Sequence, residues 1–177
     1  MQDSPTYYED GVARVLKVLK DTFGTGGLIR TYYNGQPEEI GESVLPCIMV
    51  SEGAGNIRAG ATGTDVIVET VKIIIAFNKK DDLGASEDTD LTEFKLRKIV
   101  KGQDPANKQY LPQTVMYALR THITLDDAVV ESDIQTFFED ESTGAGVNVR
   151  GTDTVTQEAV IQLTIRRMAL VPVREHD

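Results

Sequence analysis

The stretch VIVETVKIIIAF, residues 66–77, is a long β-branched run in the middle of the chain, and it decides the fold. Val and Ile are stiff at χ1 and fit a pleated strand better than a helix. Every second residue from Ile67 to Phe77 is apolar except Glu69, whereas the alternate positions include Thr70 and Lys72. This pattern predicts a strand with a core face and a partly solvated or partner-covered face. At about 3.3 Å per residue the strand would span roughly 40 Å. We therefore expect part of it to project as an arm of a hairpin.

Length and composition predict one domain over residues 1–177. The chain is 40% hydrophobic, and it is long enough to bury a sizeable core. It contains no apolar run of about 18 residues, so we expect that nothing spans a membrane. The first residues, MQDSPT, lack the basic and apolar regions of a signal peptide, so we expect an intracellular product.

The formal net charge is −10 and the isoelectric point is near 4.7. Binding to nucleic acid requires Lys and Arg that neutralise phosphates, and anionic lipid attracts the same basic residues. The acidic balance therefore argues against both kinds of partner. It favours a soluble surface that repels DNA.

Helical spacing occurs in three places. Residues 6–23 carry an apolar stripe at intervals of three and four residues, and glycines follow it. Asp90 and Glu93 have the spacing of a capping box, which predicts a helix from there to about Lys101. Pro112 suits the first turn of a third helix that continues to about Ile123.

Strand patterns surround these helices. We predict strands over residues 28–33 and 44–50, and one strand within each of residues 124–139 and 155–173. Pro46 cannot donate to a ladder, which places it at an edge, a bulge or a strand start. The order of elements predicts an α+β fold with a largely antiparallel sheet of long strands and helices packed on one face.

Three long polar segments, residues 51–65, 79–90 and 139–153, are predicted to be loops. Long loops in a small domain are commonly functional. We interpret these loops and the long strand beside them as surfaces for contact between subunits or with partners. The candidate contact residues are Arg58, Thr64, Asp65, Lys72, Lys79, Lys80, Asp81, Asp82, Glu139, Asp140, Glu141 and Arg150.

No catalytic, cofactor or metal site is predicted. The glycines of residues 55–62 mimic a phosphate-binding loop, but Ala61 stands where that loop needs Lys. His122 and Asp126 would make at most a pair of ligands, short of a zinc site. Cys47 lies in an apolar run and is interpreted as a buried thiol. We expect that the protein is not an enzyme and needs no cofactor.

Several segments together resemble the tail terminator, or tail completion, proteins of long-tailed bacteriophages. They are the N-terminal amphipathic helix, YNGQP at residues 33–37 with the strand VLPCIMV at 44–50, and TGTD at 62–65 before the long strand. NKKDD at 78–82 and PQTVMYALR at 112–120 complete the pattern. The likeness covers most of the chain.

The resemblance implies a homo-oligomeric, hexameric ring in the virion, at the junction of tail and neck. In that family the ring sits on the last ring of tail-tube protein, stops tube growth and meets the head–tail connector protein, while DNA passes through without specific binding. Two alternatives are a head–tail adaptor and a tail-tube-like subunit. A third is a small enzyme or ligand-binding domain that uses the acidic loops.

Overall fold

The structure is a computed structural model that describes residues 11–24, 27–61, 63–125, 129, 131–137, 146–151 and 153–171. The described residues form an α+β fold with a mostly antiparallel sheet, which confirms the predicted fold class. In chain order the elements are α1 (Gly11–Phe23), β1 (Thr31–Asn34), β2 (Cys47–Ala59), β3 (Thr64–Asn78), α2 (Thr92–Lys101), α3 (Val115–Thr121), β4 (Glu131–Phe137), β5 (Gly146–Val149) and β6 (Val155–Leu170). None of the helices described is long and apolar enough to cross a membrane.

The sheet has the strand order β1-β2-β3-β6-β4, with β5 also paired to β6. The β1–β2 ladder is parallel, and the other ladders are antiparallel. The long strand predicted at residues 66–77 is β3, and it occupies the centre of the sheet. It pairs along its whole length with β6, from Thr64 opposite Leu170 to Asn78 opposite Thr156.

One edge of the sheet is a strand made in two pieces. β4 pairs with residues 161–166 of β6, and β5 pairs with residues 155–158 on the same side. Because both pieces run antiparallel to β6, they run in the same direction along this edge. The predicted loop of residues 139–153 therefore contains a short strand, which the sequence reading missed.

The core lies on both sides of the sheet, but the helices lie on only one. Buried side chains of all three helices pack against Ile73, Ile75 and their neighbours on one face of the sheet. On the other face, Ile74 and Met49 are covered by the loop that contains Ile40. Successive side chains of β3 point to opposite faces of the sheet, so this strand contributes residues to the core on both sides.

The helices begin differently from the prediction. Thr114 is the N-cap of α3, and its hydroxyl accepts a hydrogen bond from the Tyr117 amide, so the helix starts after Pro112 and ends before Ile123. The predicted capping box of Asp90 and Glu93 is wrong. Leu91 occupies the N-cap of α2 without a side-chain hydrogen bond. The carboxylate of Asp82, ten residues before Thr92, accepts hydrogen bonds at the start of this helix instead.

The largest error concerns residues 51–65, which were predicted to be a flexible loop. β2 continues through this glycine-bearing stretch to Ala59, and a tight turn leads into β3 at Thr64. Local β propensity is low here. The strand forms because β3 supplies a partner, with one irregularity between Glu52 and Gly55. The expectation that the long strand extends into a hairpin arm is correct.

Smaller differences occur near the start of the sheet. β1 begins at Thr31 rather than at residue 28, and it ends at Asn34. Pro46, whose peptide bond with Leu45 is cis, directly precedes β2, in agreement with a place at a strand start. Residues 6–10 of the first predicted helix lie outside the described residues.

Candidate functional site

The distal halves of three strands form a sheet that extends past the core. Cys47–Val50 of β2 are buried, whereas every residue from 52 to 60 is exposed. Residues 64–69 of β3 lie between residues 55–59 of β2 and residues 165–170 of β6. We call these three paired segments the arm. At about 3.4 Å per residue, the arm is roughly 17 Å long.

An ion pair marks the base of the arm. Arg167 Nη2 donates to Glu69 Oε1 at 2.5 Å, and Arg167 Nε lies 3.2 Å from both carboxylate oxygens. The two side chains are only 18% and 11% exposed. Gly11 of α1 packs here as well, because a Cβ on it would lie 1.8 Å from Ile165 Cδ1. Glu69 is the one polar residue among the alternating apolar positions of residues 67–77. It lies at the boundary between the core covered by the helices and the arm.

One face of the arm carries exposed apolar side chains among polar ones. On the face opposite the helices, Val66 of β3 lies opposite Met168 of β6, Thr64 lies opposite Leu170, and Val68 lies opposite Arg166. Arg58 of β2 pairs with Val66 on the same face. Met168 is 57% exposed and Leu170 is 86% exposed. On the helix-side face Ile57 is 67% exposed. Contiguous exposed apolar side chains are typical of surfaces that contact another protein.

Both edges of the arm are open in the described part of the chain. The β1–β2 ladder ends at Asn34 opposite Val50, so no described strand pairs with the outer edge of β2 beyond that point. The β4–β6 ladder begins at Glu131 opposite Arg166, which leaves the outer edge of β6 open from Arg167 onward. Open strand edges present unpaired backbone N–H and C=O groups that can extend a sheet into another chain.

The arm carries almost no net charge although the chain is strongly acidic. Its segments, residues 55–59, 64–69 and 165–170, contain two acidic and three basic side chains, which gives a net charge of +1. The whole chain has a net charge of −10. Contact between two copies through this surface would therefore carry less electrostatic repulsion than contact through the acidic surface.

The structure brings some of the candidate contact residues together and separates the others. Arg58, Thr64 and Asp65 lie in the arm, where the Thr64 hydroxyl donates to the Ala61 carbonyl in the turn at 2.8 Å. Lys72 is half-buried near the base of the arm. Lys79, Lys80, Asp81 and Asp82 form a short 3₁₀ turn at the opposite end of β3. At the usual strand rise, Asp65 and Asn78 are about 43 Å apart along this strand. Glu139, Asp140 and Glu141 lie outside the described residues.

Three charged residues of the 3₁₀ turn, Lys79, Lys80 and Asp82, form bonds within the same chain. Asp82 accepts from the Thr92 amide and from the Thr92 hydroxyl, both at 2.7 Å, and thereby caps α2. Lys79 donates to Asp82 at 2.8 Å, and Lys80 pairs with Glu42. Burial favours a higher pKa for Asp82, but the bonds from Lys79 and Thr92 outweigh it and hold the pKa below its ordinary value. Asp81 is exposed.

Arg150 lies in a buried polar network on the helix-free face of the sheet. Its guanidinium binds Glu158 through Nε and Nη2, each at 2.8 Å. Asn148 Nδ2 and the Thr156 hydroxyl also donate to that carboxylate, at 3.0 and 2.7 Å. The Glu158 side chain is 1% exposed and that of Arg150 is 14% exposed. Arg150, which directly follows β5, therefore stabilises the pairing of β5 with β6 within the chain.

The described residues contain no group of three or more His, Cys, Asp or Glu side chains arranged to hold a metal ion. His122 ends α3, with Nδ1 2.9 Å from the Ala118 carbonyl oxygen. Cys47 is buried as predicted, and burial, together with the negative charge of Glu158, raises the pKa of its thiol to about 12. The thiol is therefore protonated at neutral pH and is a poor nucleophile.

Sequence reasoning missed the apolar residues of the arm on β6. The sequence predicts Met168 and Leu170 only as part of the strand within residues 155–173. A usable signal was present in the length of β3, because a long strand needs a neighbouring strand of similar length to pair with its backbone N–H and C=O groups. No protein-family model matches the chain, and comparison with curated proteins likewise gave no match.

Proposed function

We propose that the protein is a structural subunit that assembles through the arm into a ring, and that the ring is a phage tail terminator. In this role it caps the tail tube, stops its polymerisation and joins the tail to the head–tail connector protein. The observation that carries the proposal is the arm, with its open edges, its exposed apolar side chains and its net charge of only +1. The resemblance of the sequence to tail terminators supplies the particular role.

A closed ring requires two different surfaces that meet in the same way at every junction. The arm offers two unlike surfaces of this kind in its β2 edge and its β6 edge. The burial of exposed apolar side chains such as Leu170 would add to the stability of each junction. We therefore assign the subunit contact to the arm, and we propose that the protein acts by assembly and not by catalysis.

The acidic balance supports passage of DNA through such a ring without specific binding. Phosphates are held when Lys and Arg replace their counterions, and a ring repeats each such contact around its axis. A net charge of −10 per chain disfavours that kind of retention. We propose that DNA crosses the opening as cargo, and that the protein partners are the tail tube and the connector.

The test combines measurement of mass in solution with a tube assay. Purified protein should form discrete rings, and its addition to polymerising tail-tube protein should shorten the tubes. Met168→Asp should abolish both effects and leave the melting temperature unchanged, because Met168 is 57% exposed and its replacement buries no charge in the core. The matched control is Leu83→Asp, which changes a 78% exposed side chain outside the arm.

The proposal is wrong if the protein stays monomeric at high concentration and tube lengths do not change. Rings that leave tube length unchanged would favour a head–tail adaptor. Open stacks of indefinite length would favour a tube-like subunit, since the same open edges allow contacts whose rotation does not close. A protein that assembles only on the tube would still shorten the tubes.

A further inference from the structure

A cleft of about 680 Å³ lies between α2 and the segment that leads into α3. Its volume is within the range of ligand and peptide sites in proteins. Its apolar lining is formed by Leu28, Ile99, Leu111 and Pro112. Leu28 is 55% exposed, so this side of the lining is open to solvent, whereas Ile99 belongs to the buried core.

Two lysines of α2 add positive charge to this apolar lining. Lys95 and Lys98 both line the cleft and are exposed, and Asp90 contributes one opposing charge. Neither lysine forms an ion pair with any residue that the structure describes, although Arg97 on the same helix pairs with Glu93 at 3.3 Å.

The charge of the surrounding segment differs in sign from that of the rest of the chain. Residues 92–114 contain five basic and two acidic side chains, which gives a net charge of +3. The remaining residues contain 13 basic and 26 acidic side chains, which gives −13. An apolar cleft within the basic segment of an acidic protein complements a partner that combines apolar groups with carboxylates.

We propose that this cleft docks a short segment of a partner protein in which apolar side chains alternate with Glu or Asp. The apolar side chains would enter the space beside Leu28 and Leu111, and the carboxylates would lie against Lys95 and Lys98. Nucleic acid fits less well, because phosphates would use the two lysines and leave the apolar lining exposed to water. The assignment depends on the cleft alone and holds whether or not the chain forms a ring.

The probe is a short fluorescein-labelled peptide in which Leu and Phe alternate with pairs of Glu, measured by fluorescence anisotropy on the full chain. Two matched peptides carry Lys in place of Glu, or Ser in place of Leu and Phe. We expect only the first peptide to bind, with an affinity that falls as salt is raised. A labelled DNA duplex should not compete with it.

Charge reversal at the cleft provides the decisive comparison. Lys95→Glu and Lys98→Glu should each weaken binding by roughly twofold to thirtyfold, since reversal converts an attraction into a repulsion of similar size. The double variant should prefer the Lys peptide. The matched control, Lys108→Glu, makes the same charge change in the same basic segment away from the cleft lining, and it should alter binding by less than about twofold. Leu28→Ser should weaken binding without lowering the melting temperature.

Several results would overturn the proposal. Absence of binding at millimolar peptide, or equal binding of the Ser and apolar peptides, would exclude an apolar docking site. An equal effect of Lys108→Glu would show that general surface charge attracts the peptide. Competition by DNA would replace the peptide with nucleic acid as the ligand. Self-association that Lys95→Glu abolishes, without peptide binding, would identify a second copy of the chain as the occupant. Because none of these readouts involves the arm, they are independent of the ring assay with Met168→Asp.

Discussion

Replacement of Arg150 by Met would remove the charged partner of Glu158 and leave a carboxylate enclosed by the sheet. Arg150 was predicted from the sequence to be a contact residue, whereas in the structure two of its three guanidinium nitrogens bind Glu158 inside the chain. The variant therefore separates a role in stability from a role in contact. We expect it to unfold at a lower temperature and not merely to assemble less well.

The geometry sets the size of the effect. The two bonds of 2.8 Å are made by side chains that are 14% and 1% exposed, so water screens the pair little. Removal of one partner from a buried ion pair costs about 3–5 kcal/mol, because the other charge stays buried. For a chain of this length each kcal/mol lowers the melting temperature by about 2–4 °C. The expected decrease is therefore about 6–20 °C.

The assay is thermal and urea unfolding followed by circular dichroism, with Arg120→Met as the control. Arg120 pairs with Asp133 at 3.3 Å, but the two side chains are 48% and 60% exposed, so this replacement should cost less than about 1 kcal/mol. The double variant Arg150→Met with Glu158→Leu should recover most of the stability, since no charge then remains buried. Equal stability of Arg150→Met and wild type, with assembly lost, would refute the structural role and restore the contact role.

Two further predictions follow from β3 and from the turn after it. Ile73→Asp should lower the free energy of unfolding by several kcal/mol, because Ile73 is fully buried. Lys72→Glu, on the opposite and half-buried face, should lower it by about 1 kcal/mol or less and should weaken assembly. Equal melting temperatures of the two variants would show that the assignment of faces is mistaken. Asp82→Ala should cost about 1–2 kcal/mol through loss of the cap on α2, with exposed Asp81→Ala as the control. Because the folded pKa of Asp82 lies below the unfolded one, its contribution is complete above about pH 5 and is lost as the pH falls through the folded pKa, so urea titrations of wild type and variant should converge in acid. A difference that stays constant down to pH 2 would contradict this assignment.

The alternation in residues 66–77 was sufficient to predict the centre of the fold. The same residues that gave one apolar face, Ile73 and Ile75 among them, are buried beneath the helices. The prediction succeeded because side-chain burial in a strand follows directly from a period of two. Glu69 interrupts the apolar face in the sequence, and the structure places this residue where helix cover ends, but the pattern did not predict where the arm begins.

The partners of that strand were harder to predict, because pairing is not a local property. Residues 51–59 have the composition of a loop, and they become a strand only beside β3. Asp82 reaches the start of α2 from ten residues away, so a search for caps next to the helix found Asp90 instead. Arg150 and Glu158 were likewise not recognised as a pair, because their contact depends on the β5–β6 register.

Charge is distributed among three parts of the molecule, and this distribution limits how copies of the chain can meet. The arm has a charge of +1, the segment of residues 92–114 has a charge of +3, and the remainder is strongly negative. Two copies that approach through the acidic surface repel each other, whereas contact through the arm avoids this repulsion and can bury Met168 and Leu170. The positive segment would remain exposed in such an assembly and would be available to a partner with carboxylates. Assembly of the subunit and attachment of a further protein would then use separate surfaces, so that either could be lost by substitution without the other.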